Sequence, residues 1–296
     1  MSVRRRAEVL GTFPGAAYRG TFAPSAPEPG LGAELPAGWE GLYFPYDAPL
    51  ADLRPDGSPA RDGVLPEISL PRRMYAGEDT VFHRPLRYGN LVEQVVTAGD
   101  VVEKTGRSGR LVFADVVREY LVDGERAVSS TWHDVFLDVA GPGGGSGGGV
   151  SAGSVGPGAG ADWSEPLRLD ERQLFRFSAL TFNTHRVHYD ARWVREQEGL
   201  DGLLVHGPLL RIVLLDAAVR HEAAMPGEQG GPREPGERVG AFSFRVRAPL
   251  LAGTDAVIAG TRHGQESEVH LLDASGAPLA TGTVAWVDEQ RRRTPQ

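Results

Sequence analysis

Between residues 78 and 137 the apolar positions fall into short Val- and Phe-rich runs: Thr80–His83, Leu91–Val96, Leu111–Leu121 and Ala127–Leu137. Gly99-Asp100, Gly106–Gly109 and Asp123-Gly124 separate them. Runs of β-branched and aromatic residues between such turn formers predict strands of an antiparallel meander. The second half starts differently. Leu209–Val219, behind Gly207-Pro208, is apolar almost all the way round. That pattern predicts a buried helix with proline in its first turn. After it, Phe242, Phe244 and Val246 alternate with Ser243, Arg245 and Arg247, the period-two mark of a half-buried strand. Asp255–Arg262, Glu268–Asp273 and Leu279–Val287 continue the meander. One long buried helix followed by an antiparallel sheet predicts an α+β fold in which a sheet wraps a helix.

Two stretches lack either period. Residues 13–41 are rich in Pro and Gly and read as irregular coil. In residues 141–160, eleven of the twenty positions are Gly. Such a segment cannot bury enough apolar surface to offset its ordering entropy, and it reads as a flexible linker. The expected organisation is therefore two domains, 1–140 and 161–296, joined by 141–160. A chain of 296 residues has room for both.

Composition narrows the class. Apolar residues make up 41% and charged residues 24%, as in an average globular protein. A net charge of −8 argues against a nucleic-acid partner. No apolar run approaches the roughly 18 residues of a membrane helix, and none follows the basic Met1–Arg6 as a signal peptide would require. With no cysteine, disulfides, thiolate metal sites and a cysteine nucleophile are excluded. A cytoplasmic location is expected, and a homodimer is compatible with the pattern.

The densest polar cluster is Phe182-Asn183-Thr184-His185-Arg186-Val187-His188-Tyr189-Asp190. His206 follows, just before the buried helix. Three readings stand side by side. The side chains cap turns; or His185, His188 and His206 hold a metal, as three neutral imidazoles can; or His188 moves a proton, since an imidazole titrates near neutrality. Gly207 is either an ordinary helix start or a bare N–H donor whose partial positive charge suits a developing oxyanion. A histidine beside an oxyanion donor is what α,β-elimination from a thioester requires.

At these residues the sequence resembles the MaoC-like hydratases of the hotdog superfamily. The likeness is to their two-domain branch, which includes type 2 3-hydroxyacyl-thioester dehydratases and itaconyl- or mesaconyl-CoA hydratases. Phe177–Asp190, Val205–Leu210 and Phe244–Leu250 carry it in the second half, and Leu70–Gly77 and Glu103–Gly109 in the first. The resemblance implies a double hotdog with the active site in the second half. Its central helix is expected to be missing or degenerate in the first half, where Pro24–Pro36 replaces a helical stretch. It implies His188 as catalytic histidine and Gly207 as donor to the thioester carbonyl. Where the broader family has Asp five residues before that histidine, this chain has Asn183, which can orient water but cannot be a base. Asp190 reads as structural more readily than catalytic.

The implied substrate is an acyl-CoA or acyl-carrier-protein thioester, with no cofactor and no metal. Expected substrate-binding residues are His206 and, for CoA phosphates, Arg72, Arg73 and Arg245, with Arg84, Arg87 and Arg247 as further candidates. An uncovered face of the first domain is expected to form an acyl pocket for long or bulky chains. A small dicarboxylate hydratase, a hotdog thioesterase and a non-catalytic thioester-binding subunit are the alternatives.

Overall fold

The computed structural model describes residues 2–59, 63–106, 109–138, 160–224 and 237–288. The first half contributes β1 (Val3–Val9), α1 (Thr12–Phe22), β2 (Arg72–Phe82), β3 (Leu91–Gly106), β4 (Gly109–Val122) and β5 (Glu125–Leu137). The second contributes β6 (Trp163–Leu167), α2 (Glu171–Thr181), a short α3 (Ala191–Trp193), α4 (Gly207–Ala224), β7 (Glu237–Val246), β8 (Ala256–His263), β9 (Glu266–Asp273) and β10 (Pro278–Asp288). The strands hydrogen-bond into one sheet in the order β1-β3-β4-β5-β2-β7-β10-β9-β8-β6. Read from its two ends, that order is the same pattern twice. Each half is a strand, a helical excursion and four more strands, and the halves meet where β2 pairs β7 from Gly77↔Arg245 to Val81↔Ala241. The double hotdog is therefore one continuous antiparallel sheet. The expected linker, 141–160, lies outside the described residues except for Gly160.

The α4 helix fills the hollow of the second half. Leu209, Leu210, Ile212, Leu214, Leu215, Ala217 and Ala218 are buried, and the helix packs against β2 and β7–β10. Between Leu209 and Val219 two polar residues, Arg211 and Asp216, interrupt its apolar surface. Arg211, 2% exposed, binds Glu40 (2.8 Å), Thr80 Oγ1 (2.8 Å) and Glu78 (3.4 Å). Asp216 accepts from Tyr18 Oη and Trp39 Nε1, both at 2.9 Å. These bonds seat residues 18–40 across the side of α4 that the sheet leaves open.

The same bonds explain the main departure from the sequence reading. Residues 13–22, expected as coil, belong to α1 despite Pro14, Gly15 and Gly20. Pro14 sits in the first turn, where its missing N–H costs nothing. Gly15 lets the Tyr88 hydroxyl come close, for a Cβ there would lie 2.3 Å from it. Tertiary contact, not helix propensity, stabilises this element. The first half nevertheless has no counterpart of α4 among the described residues. A 3₁₀ turn at Trp39–Leu42 and the following irregular segment run over its sheet instead. Below them is a cavity of about 660 Å³.

Candidate active site

The α2 helix ends on Phe182, held in the left-handed conformation (φ 52°), and both its N–H and that of Asn183 close back on Ser178 O. This tight exit turns the chain so that Asn183 lines the cavity with Phe177, Thr181 and Pro208. Asn183 Oδ1 accepts the backbone N–H of His185 (3.0 Å). Only the oxygen can accept, so the carboxamide NH₂ is the end left for a ligand.

A loop from the first half clamps the next residues. Asp56 O accepts Arg186 N–H (2.7 Å), and Gly57 O accepts Thr184 Oγ1 (2.8 Å). Gly57 has φ +82°, and a Cβ there would be 2.0 Å from Thr184 O, so no larger residue fits. The buried Asp56 carboxylate lies 3.7 Å from His185 Nε2. Sequence reasoning missed this clamp; its signal was the turn run Pro55-Asp56-Gly57. Asp190 is engaged within its own loop. It receives Trp193 N–H (2.9 Å) and pairs with Arg186 (2.7 Å), whose guanidinium lies over the Trp193 ring.

His188 is 6% exposed and donates Nδ1–H to Leu204 O at 2.7 Å. A carbonyl can only accept, so the neutral ring carries its proton on Nδ1 and leaves a lone pair on Nε2. Burial lowers its pKa to about 3, with the neighbouring His185 adding to the effect. The imidazole is thus a neutral base at ordinary pH. His206, wholly buried, stacks on it with centroids 3.6 Å apart and an interplanar angle of 20°. Its Nε2 meets Ser178 Oγ at 2.8 Å. Neither imidazole is among the residues that line the cavity, which Asn183 and Pro208 reach from this side; His206 is the more deeply buried of the two rings. The nitrogen lone pairs of two near-parallel rings also cannot converge on one ion at roughly 2.1 Å from each. Among the described residues, no cluster of His, Asp or Glu is arranged to hold a metal.

Gly207, next to His206, is the first residue of α4. Its N–H has no acceptor within the helix, and the aligned peptide dipoles make it electropositive. The Tyr75 ring packs so closely that a Cβ on Gly207 would be 2.4 Å from Cδ1. Tyr75 is set there by a register shift in β2, between Tyr75 and Gly77, just before the seam with β7.

Arg72, Arg73 and Arg245, expected to bind phosphate, each have a carboxylate partner. Arg72 pairs with Glu198 (2.5 Å), and Arg73 is buried against Asp134 (2.6 Å). Arg245 holds Asp79 through both guanidinium nitrogens (2.8 and 2.6 Å). None of the three lines the cavity; Arg4, Arg6 and Arg118 do.

Comparison with known proteins agrees with this architecture. Residues 38–252 match the family model for hydroxyacyl-thioester dehydratase type 2. A Chloroflexus aurantiacus protein described as mesaconyl-C(4)-CoA hydratase is 31% identical over 277 residues, covering 89% of this chain and 88% of that protein. Among solved structures, HtdX of Mycobacterium tuberculosis superposes with a TM-score of 0.65 at 17% identity, over 96% of this chain and 99% of its own. A MaoC-like dehydratase of Phytophthora capsici gives 0.64 at 13% identity, over 97% and 95%. At those identities the two structures speak for the fold. The family model and the Chloroflexus relative carry the conclusion that this chain, a double hotdog, belongs to the hydroxyacyl-thioester dehydratase type 2 family and is a hydro-lyase of thioesters.

Proposed function

We propose that the protein reversibly adds water across the 2,3-double bond of a 2-enoyl thioester, with His188, Asn183 and Gly207 as the working groups. The observation that supports this most is the fixed tautomer of His188, whose Nε2 is left as a neutral base while its ring stacks on His206, the residue just before α4. In hydration, the Asn183 NH₂ donates to the water oxygen and turns a water proton toward His188. His188 Nε2 takes that proton as the oxygen bonds to the β-carbon. The π-electrons move onto the thioester oxygen, where Gly207 N–H and the helix dipole stabilise the enolate charge. The imidazolium then returns its proton to the α-carbon as the enolate collapses. Dehydration is the same path reversed. The burial that keeps His188 neutral makes its conjugate acid strong, so the proton is not retained.

In this reading the two halves, 1–140 and 161–296, divide the work. The second carries the reacting groups and the first supplies the acyl cavity. The thioester is carried on CoA or on an acyl carrier protein, and a mesaconyl-CoA, the acyl group in the name of the Chloroflexus relative, is a substrate to test beside crotonyl-CoA. Incubation with crotonyl-CoA decides the reaction. Loss of enoyl absorbance without free thiol supports hydration. Release of thiol shows a thioesterase, and neither change with bound thioester shows a binding subunit.

A further inference from the structure

Along β4 the side chains alternate, and Val112, Ala114, Val116 and Tyr120 all point inward and are buried. Arg118 occupies the next inward position and is 7% exposed. An arginine there is not explained by packing, because burying a cation without a counter-charge costs free energy. Most described arginines near the site have partners. Arg4 is paired with Asp47. Arg6 donates to Gln94 Oε1 (2.8 Å), Pro45 O (2.8 Å) and Phe44 O (2.6 Å). Arg118 has no carboxylate and no hydrogen-bond acceptor among the described residues, and its buried Nη1 is left unsatisfied. The guanidinium carbon lies 3.7 Å from the centroid of the Trp132 ring, a cation–π contact that leaves the in-plane N–H groups to other partners.

Arg118 lines the cavity of about 660 Å³ which Asn183 and Pro208 also line. The cavity's other acids are already engaged or peripheral: Asp47 is taken by Arg4, and Asp52 is exposed. A planar anion matches an unfilled guanidinium fork better than any neutral group, through two parallel charge-assisted hydrogen bonds. We infer that Arg118 anchors a carboxylate at the far end of the acyl group, so that this cavity selects a dicarboxylic acyl thioester over a neutral one. The inference deepens the hydratase reading and rests on it for the location of the thioester end. It also replaces the expectation of a long apolar chain, whose methylenes would lie against an unpaired cation.

Succinyl-CoA and butyryl-CoA are unreactive toward hydration, match in carbon number and differ in the terminal carboxylate. Their dissociation constants are measured by calorimetry on the full chain. The wild-type protein is expected to bind succinyl-CoA roughly 10- to 100-fold more tightly, the range for hydrogen bonds to a charged group. Arg118→Met should remove that ratio, and Arg118→Lys, which keeps the charge but not the fork, should retain an intermediate one. Equal affinities in wild type overturn the inference, and so does a preference that survives Arg118→Met. If Arg118→Met fails to fold, the wild-type and Arg118→Lys ratios still decide. A protein that shows the ratio yet hydrates no enoyl thioester removes the hydratase reading and leaves the carboxylate anchor standing.

Discussion

The imidazole of His206 lies flat against that of His188, with centroids 3.6 Å apart, and it is the inner ring of the two. One ring is tied to Leu204 O and the other to Ser178 Oγ, so the pair is fixed from both ends. Both are held neutral by burial. A base whose orientation, tautomer and charge are all set before substrate arrives needs little reorganisation to react.

His188→Gln is expected to lower kcat by roughly 10²–10⁴, the range for losing a general acid–base group, with the fold retained. For the wild-type enzyme, kcat/KM should stay level from pH 8 down through the usual imidazole range. The base of a pKa near 3 remains unprotonated there. A drop in kcat/KM centred near pH 6.5 would mean that the base titrates as an ordinary imidazole and is not held neutral by burial.

Asn183→Ala should slow hydration at least tenfold, because it removes both the NH₂ aimed at water and the acceptor that holds His185 N–H. Asn183→Asp preserves that acceptor and should keep more activity than the alanine variant. Steady-state rates on crotonyl-CoA check the order; wild-type activity in Asn183→Ala would reduce the residue to a turn former.

His206 links the site to acid stability. Its folded pKa lies well below 6.5, so the unfolded chain takes up a proton that the folded one refuses. The stability tied to that neutral ring is fully present above pH 6.5 and is lost as pH falls below it, by about 1.4 kcal/mol per unit. Asp216, raised by burial to about 7, acts in the opposite sense as pH falls from there toward its unfolded value. Comparison of variants separates the two. His206→Phe keeps a flat ring and should show a shallower fall of Tm between pH 6.5 and 4.5 than wild type. Equal slopes would show that His206 is charged in the folded protein.

Gly207→Ala forces a Cβ into the Tyr75 ring, 2.4 Å from Cδ1. The expected cost is about 1–3 kcal/mol of stability, the range for overpacking, together with a lower kcat as the helix start moves off the thioester oxygen. Thermal melts and crotonyl-CoA rates read both. Unaltered melting would show that Tyr75 yields without strain.

Much of this protein is determined locally. The strands of both meanders and α4 follow from two periods, alternate burial along a strand and apolar residues all round a central helix, each written within one short segment. The motif from Asn183 to His188 is likewise contiguous, and so is Gly207 at the start of α4. What the tertiary structure alone decided are the pairings between distant segments. The α1 helix has weak propensity and exists because Tyr18 reaches Asp216, 198 residues away. Arg73 and Arg245 look like phosphate ligands in the sequence, but Asp134 and Asp79, 61 and 166 residues distant, bind them. Arg118 is one more charge on a strand until folding turns it inward and brings it no acid among the described residues. A residue's intrinsic preference acts over a few neighbours. Whether a charge ends up neutralised, buried or free for a ligand depends on which chain segments the fold brings within hydrogen-bond reach of it.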